Sequence, residues 1–234
     1  MSTRQTEPQC STCIRQRHHT HSWSRYIGGQ LVANQVPSVH QFTAATIADS
    51  FAAVICLIVR NGELYVKSFL DHYRSMGVKH FVFLDNGSTD RTVELLCAQE
   101  QVTVLQTDAP YNKYENTMKR YLAQKFSAGR WNLCADIDEL FDYPFSENLR
   151  LRDFLGYLNE NKYTVVVTQM LDMFSDVPLQ KLESKADDVL NAKYSFYDIS
   201  AIMKEDYLWS ERSNPDIKMH WGGIRKQVFG TVNG

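Results

Sequence analysis

The sequence lacks any apolar run approaching the roughly 20 residues that a bilayer-spanning helix needs. Its first residues, MSTRQTEPQCSTC, also lack the apolar core of a secretory signal. These absences predict a soluble chain in the cytoplasm, with at most peripheral attachment at the inner face of a membrane. An excess of charge of one sign is missing too: the formal net charge is -2, with 22% charged residues. No global attraction draws nucleic acid to such a chain, and none is expected as a partner. Cysteines are few and odd in number, five in all. Of these, Cys56, Cys97 and Cys134 lie in apolar strand-like or helical runs, where buried free thiols are expected.

Residues 1–48 are rich in Ser, Thr, Gln, Arg and His and short of apolar periodicity. Such a segment buries too little surface to offset its ordering entropy, so a polar, flexible N-terminal extension is expected. Cys10, Cys13, His18, His19 and His21 carry the ligand chemistry of tetrahedral zinc. Their spacing argues against it, because His18 follows Cys13 by only five residues, whereas a C-x-x-C knuckle meets its second ligand pair after a dozen or more.

What the chain does contain is concentrated in 49–234, a length that fits one domain, and 44% hydrophobic residues supply a sizeable core. AAVICLIV is a continuous apolar run of strand length, as expected for a strand covered on both faces. Val66, Phe69, Leu70 and Tyr73 then recur at helical spacing, with Gly77 placed as a C-cap glycine. The alternation continues through a strand at 80–84, a helix at about 90–99, a strand at 102–106 and a helix at about 114–126. Met118, Tyr121, Leu122 and Phe126 form the buried face of that last helix. Strands at 131–135 and 164–170, with a helix at about 149–159 between them, complete the pattern. Alternating β and α elements predict an open, mostly parallel α/β sheet flanked by helices.

Sites in such sheets form outside the carboxyl ends of the strands. There the sequence places Arg60-Asn61, the run Asp85-Asn86-Gly87-Ser88-Thr89-Asp90, Asp108, and Asp136-Ile137-Asp138-Glu139. Asn86-Gly87 reads as a tight bend, with Ser88, Thr89 or Asp90 capping the next helix. Asp85 follows four apolar residues, so its carboxylate needs a partner to offset desolvation; a ligand's ring N–H or a ribose hydroxyl would serve. In extended chain Asp136 and Asp138 point to one side while Ile137 points into apolar packing. Two like charges so placed call for a cation. Hard oxygen ligands beside a diphosphate suit Mg²⁺ or Mn²⁺. The bland alternative is an acidic solvent loop.

ICLIVRNGELYVKSFLDHYRSMGVKHFVFLDNGSTDRT, NLCADIDELFDYP and HWGGIRKQVFG together resemble family 2 glycosyltransferases of GT-A fold, in particular their bacterial branch with a DxDE motif. The likeness runs from about Ala52 to the C-terminus. It implies a metal-dependent enzyme that moves a sugar from a nucleoside-diphosphate sugar to a glycan or other hydroxyl acceptor. The implied outcome is inverting, and the implied setting is cell-surface polysaccharide synthesis. By the same resemblance Arg60, Asn61, Glu63, Asp85 and Asp90 hold the base and ribose, Asp136 contacts ribose or metal, and Asp138 binds the metal. Asn86 stands where a second aspartate is commoner, and keeps a short hydrogen-bonding side chain. Asn116 and Arg120 would flank the donor pocket, unless they belong to a solvated helix face.

An inverting transferase needs a carboxylate base for the acceptor hydroxyl. In the family it lies downstream of the metal motif, which makes Glu205 and Asp206 the candidates, with Asp198 and Asp216 behind them. His220 is a candidate third metal ligand on the same grounds, against a packed or solvated histidine. Relatives continue past the equivalent of HWGGIRKQVFG, so a truncated C-terminus is expected, and a catalytically impaired nucleotide-sugar-binding module of the same fold is the alternative function. A sugar nucleotidyltransferase would want a Gly-rich phosphate loop after the first strand, and RNGE holds one glycine.

Overall fold

The computed structural model describes residues 13–15, 53–183, 185, 188–200, 202–206 and 218–224. The chain divides into two compact units, Met1–Leu158 and Asn159–Gly234, a division that falls inside the 49–234 stretch expected as one domain. Cys10, His18, His19, His21 and Asp216 lie outside the described residues.

The first unit contains strands Cys13–Arg15 (β1), Val54–Val59 (β2), His80–Asp85 (β3), Val102–Gln106 (β4) and Asn132–Leu133 (β5). Its helices are Val66–Ser75 (α1), Thr92–Cys97 (α2), Tyr111–Phe126 (α3) and Leu151–Glu160 (α4). The sheet order is β1-β4-β3-β2-β5, and every pairing is parallel. Short β1 is an edge strand drawn from the segment expected to be a flexible extension.

Strand β2 shows why its sequence is apolar throughout. Val54, Cys56 and Ile58 pack with Met118 and Leu122 of α3. Ile55, Leu57 and Val59 pack with Phe69, Leu70 and Tyr73 of α1, Leu96 of α2, and Leu151, Leu155 and Leu158 of α4. Helices thus cover both faces, and successive side chains of a central strand must all be apolar. The 80–84 and 102–106 strands and the four helices appear as expected, with α3 starting one turn early. Helix α1 closes as anticipated: Gly77 adopts φ +90, and Val78 N–H donates to Tyr73 O at 3.0 Å, the bond of a Schellman cap.

The second unit contains two antiparallel strand pairs. Met173–Phe174 (β6) pairs with Phe196–Tyr197 (β7), and Met203–Asp206 (β8) with Lys218–Trp221 (β9); a short helix, Leu190–Lys193 (α5), precedes β7. The strand expected at 164–170 is not formed: residues 163–172 have no regular structure, and 164–170 are exposed. β-propensity expresses fit to a pleated, half-buried surface, and no ladder supplies that surface here.

Two expectations about thiols also change. Cys97, half-buried at the end of α2, is disulfide-bonded rather than free. Cys134 is free but exposed, because β5 stops at Leu133 and the chain leaves the sheet there. Of these three, Cys56 alone is both free and buried, as expected. No helix of the described residues is long and apolar enough to cross a membrane.

Candidate functional site

The carboxyl ends of the three central strands are level. Val59 stands opposite Asp85, and Asp85 opposite Gln106. The loops leaving this edge carry Arg60, Asn61 and Glu63 after β2, and Asn86 and Asp90 after β3, so the structure brings these expected residues together.

The two loops are bonded directly to each other. Asn61 N–H donates to Ser88 Oγ at 2.8 Å, and Asn61 Oδ1 accepts from Thr89 N–H at 2.8 Å. Gly62 N–H donates to Thr92 Oγ1 at 2.7 Å. Glu63 N–H donates to Asp90 Oδ2 at 3.2 Å, while Glu63 Oε2 accepts from Arg91 N–H at 2.9 Å. Asp90 Oδ1 accepts from Thr92 N–H at 3.0 Å, an Asx turn just ahead of α2; the N-cap position itself is Arg91, without a side-chain cap bond, in place of the cap expected from Ser88, Thr89 or Asp90. Burial alone would raise the Asp90 carboxyl, but bonds from the Thr92 hydroxyl, the Thr92 amide and the Glu63 amide outweigh it and hold the group below the usual range. Asn61, Glu63 and Asp90 are therefore first of all a clasp between loops. Arg60 is exposed beside it.

Asp85 is 2% exposed, and its carboxylate finds partners within the chain. Ser88 N–H donates to Oδ1 at 3.1 Å and Gln106 Nε2 to Oδ2 at 3.3 Å. The need that the sequence suggested a ligand would fill is thus met in part by the turn itself. Asn86 is also buried, at 8%. Its side-chain amide donates to Thr107 O at 3.2 Å and Ala109 O at 2.9 Å, so both its protons tie the end of β3 to the segment after β4. Gly87, with φ +79, provides the expected bend.

Beyond β5 the chain turns instead of running extended. Glu139 N–H donates to Asp136 O at 3.0 Å, and Glu139 Oε2 accepts from Asp136 N–H at 2.9 Å. This corrects the extended geometry expected of Asp136-Ile137-Asp138: after two residues of pairing, the backbone satisfies itself locally. Asp136 and Asp138 are both exposed, with half-buried Ile137 between them. Ile137 packs against the main core and against Gly62, where an added Cβ would lie 3.3 Å from Ile137 Cγ1 and 2.9 Å from Val59 Cγ2. Tyr73 of α1 anchors the far side of the turn: its hydroxyl donates to Glu139 O at 2.9 Å and accepts from Phe141 N–H at 2.8 Å.

Sequence reasoning placed α3 beside the site but missed the residues of it that face Asp136. Tyr111, Glu115 and Lys119 stand at i, i+4 and i+8, one stripe of the helix. Lys119 Nζ lies 2.8 Å from Glu115 Oε1 and 3.9 Å from Asp136 Oδ1. Hydrogen bonding to Glu115, then the charge of Asp136, keeps the ammonium protonated beyond its usual range despite some burial. The bond from Lys119, then one from Tyr111, holds the Glu115 carboxyl low. Asn116 and Arg120, picked from the sequence, are exposed neighbours of this stripe. The i, i+4 acid–base spacing was the available signal.

The base candidates belong to the second unit. Glu205 and Asp206 are exposed on β8, and Asp206 forms an ion pair with Lys218 of β9. His220, on β9, is exposed, and its backbone N–H donates to Gln169 Oε1 at 3.2 Å. Asp198 accepts from Ser200 N–H at 2.7 Å.

Among the described residues no three His, Cys, Asp or Glu side chains are grouped so as to hold a metal ion. Asp136 and Asp138 alone fit the hard-oxygen share that Mg²⁺ or Mn²⁺ takes from protein when phosphate oxygens and water complete its shell. Neither a family model nor a curated protein matches the chain.

Proposed function

We propose that the chain is a GT-A-type glycosyltransferase that takes a sugar from a nucleoside-diphosphate donor to a hydroxyl acceptor, with inversion, in cell-surface polysaccharide synthesis. One observation carries this reading. A carboxylate buried at a central strand end, Asp85, and an exposed carboxylate pair, Asp136 and Asp138, leave the same edge of a parallel sheet, joined through Gly62 and Ile137. Such edges are where α/β sheets bind ligands. Asp85, with Arg60 beside it, addresses the nucleoside, and Asp136 and Asp138 hold the divalent ion. Bound there, Mn²⁺ or Mg²⁺ supplies Lewis-acid stabilisation of the departing diphosphate.

The experiment is calorimetry of UDP and GDP with Mn²⁺ on the wild type and on Asp138→Ala. The reading expects binding by the wild type and its loss in the variant, and absence of binding by both proteins sinks it. The internal partners of Asp85 and the ion pair of Asp206 favour a second reading, a nucleotide-sugar-binding module without turnover. Enzyme-dependent release of nucleoside diphosphate from the donor removes that alternative.

A further inference from the structure

We infer that Lys119 is the diphosphate-holding cation of this site, resting between Glu115 and Asp136 until a donor arrives. The inference rests on the nucleotide-sugar reading above and goes beyond it in assigning a phosphate contact to α3. Its basis is charge and geometry.

Two carboxylates, Asp136 and Asp138, cancel one divalent ion, so the charge of a diphosphate bound at that ion needs a further cation. Among the described residues, Lys119 is the one cation within 4 Å of either carboxylate. Its ammonium is not exhausted by its present contacts. An ammonium has three donors; one goes to Glu115 Oε1, and Asp136 Oδ1, at 3.9 Å, is beyond hydrogen-bond reach.

Glu115 gives the arrangement its direction. The Glu115 bond holds the head of a long, flexible side chain, which is 33% exposed, on the side of α3 that faces Asp136. That position costs less ordering entropy on binding than a lysine free in solvent. When the carboxylate of Asp136 turns to a divalent ion, Lys119 loses a favourable neighbour and gains a phosphate oxygen in its place. Arg60, exposed at the end of β2 and not engaged like Arg91, which pairs with Glu94, is the natural competitor for the role.

The test compares diphosphate with monophosphate binding. UDP, GDP, UMP and GMP are titrated with saturating Mn²⁺ into the wild type and into Lys119→Met, Lys119→Arg, Arg60→Met and Lys125→Met, the last an exposed control on the same helix. Lys119→Met is expected to weaken the preferred diphosphate about ten-fold while changing its monophosphate much less. Lys119→Arg should recover most of the loss, and Lys125→Met should match the wild type. The side chain lies outside the core, and Lys119→Gln repeats the test should the Met variant prove unstable. An unchanged diphosphate-to-monophosphate ratio in Lys119→Met, or a ratio that falls only in Arg60→Met, overturns the inference and leaves the nucleotide reading standing. A wild type that binds neither diphosphate overturns both.

Discussion

Asn61 and Thr89 join two loops that are far apart in sequence: the Asn61 side-chain carbonyl accepts from the Thr89 amide at 2.8 Å. Asn61 also sits at φ 54, a left-handed conformation that asparagine tolerates better than most residues. Its side chain and its backbone therefore make separable contributions. Asn61→Ala should cost about 2 kcal/mol, from a lost hydrogen bond and from left-handed strain, whereas Asn61→Gly should cost about half as much. Urea denaturation of both variants checks this, and equal losses would show that strain contributes nothing.

Gly62 couples the same clasp to the acidic turn. A methyl group there would meet Val59 Cγ2 at 2.9 Å and Ile137 Cγ1 at 3.3 Å, both branched side chains packed in the core. Gly62→Ala should destabilise the protein by about 1–3 kcal/mol through overpacking. Because Ile137 is flanked by Asp136 and Asp138, the variant should also weaken Mn²⁺-dependent UDP or GDP binding. Binding that stays at the wild-type level while stability falls would separate the two loops.

The strands and helices around this edge were legible because both faces of β2 and β3 are buried, so burial wrote an unbroken apolar run into the sequence. The bend at Gly87 was legible as local turn chemistry, whereas the expected cap gave way to an Asx turn at Asp90, one residue ahead of the N-cap. The partners of Asp85 were not, since Gln106 comes from another strand and enters only through register. The α3 stripe carried an i, i+4 signal, but which loop it faces depends on β5 lying beside β2. Val165 to Met170 misled for a related reason: β-branched residues mark a strand only where something pairs with it.

Tyr73 is an apolar anchor with a polar tip. Its ring is buried against Phe69, with centroids 4.6 Å apart, while its hydroxyl bridges Glu139 O and Phe141 N–H. Burial first of all, offset in part by the Phe141 bond, pushes the phenol up to about 12, so it stays a neutral donor throughout the working range. Tyr73→Phe keeps the packing and orphans a carbonyl and an amide, which should cost about 2 kcal/mol. Hydrogen exchange at the Phe141 amide should accelerate more than exchange in β2; uniform acceleration would mean that the hydroxyl does not pin this loop.

His80 lies at the opposite end of β3, 8% exposed, with Nε2 2.9 Å from Thr103 Oγ1. Burial lowers its pKa to about 4, from 6.5. The folded protein therefore binds fewer protons here than the unfolded chain. The stability this brings is complete above pH 6.5 and is lost as the pH falls toward 4, by roughly 2 kcal/mol. His80→Gln should flatten that part of the stability–pH curve. Urea midpoints measured at pH 7 and pH 4.5 decide it, and an identical pH dependence in the variant would assign the loss to carboxylates instead.

Cys56 and Cys134 differ in exposure although they are close neighbours in register. Val54 pairs with Asn132 and Ile55 with Leu133, so one step further along brings Cys56 level with Cys134, just past the end of the ladder. Cys56 is 3% exposed; burial, then the charge of Cys134, pushes its thiol up to about 12, against a smaller lowering by Ser127. Reaction with a thiol reagent requires thiolate and access together. Iodoacetamide at pH 8 should therefore modify Cys134 in the native protein and leave Cys56 untouched until urea unfolds the sheet, as quantified on the separate peptides. Cys134→Ser should remove the fast reaction without exposing Cys56. Native labelling of Cys56 at the Cys134 rate would mean that β2 is not the covered central strand on which the whole site is built.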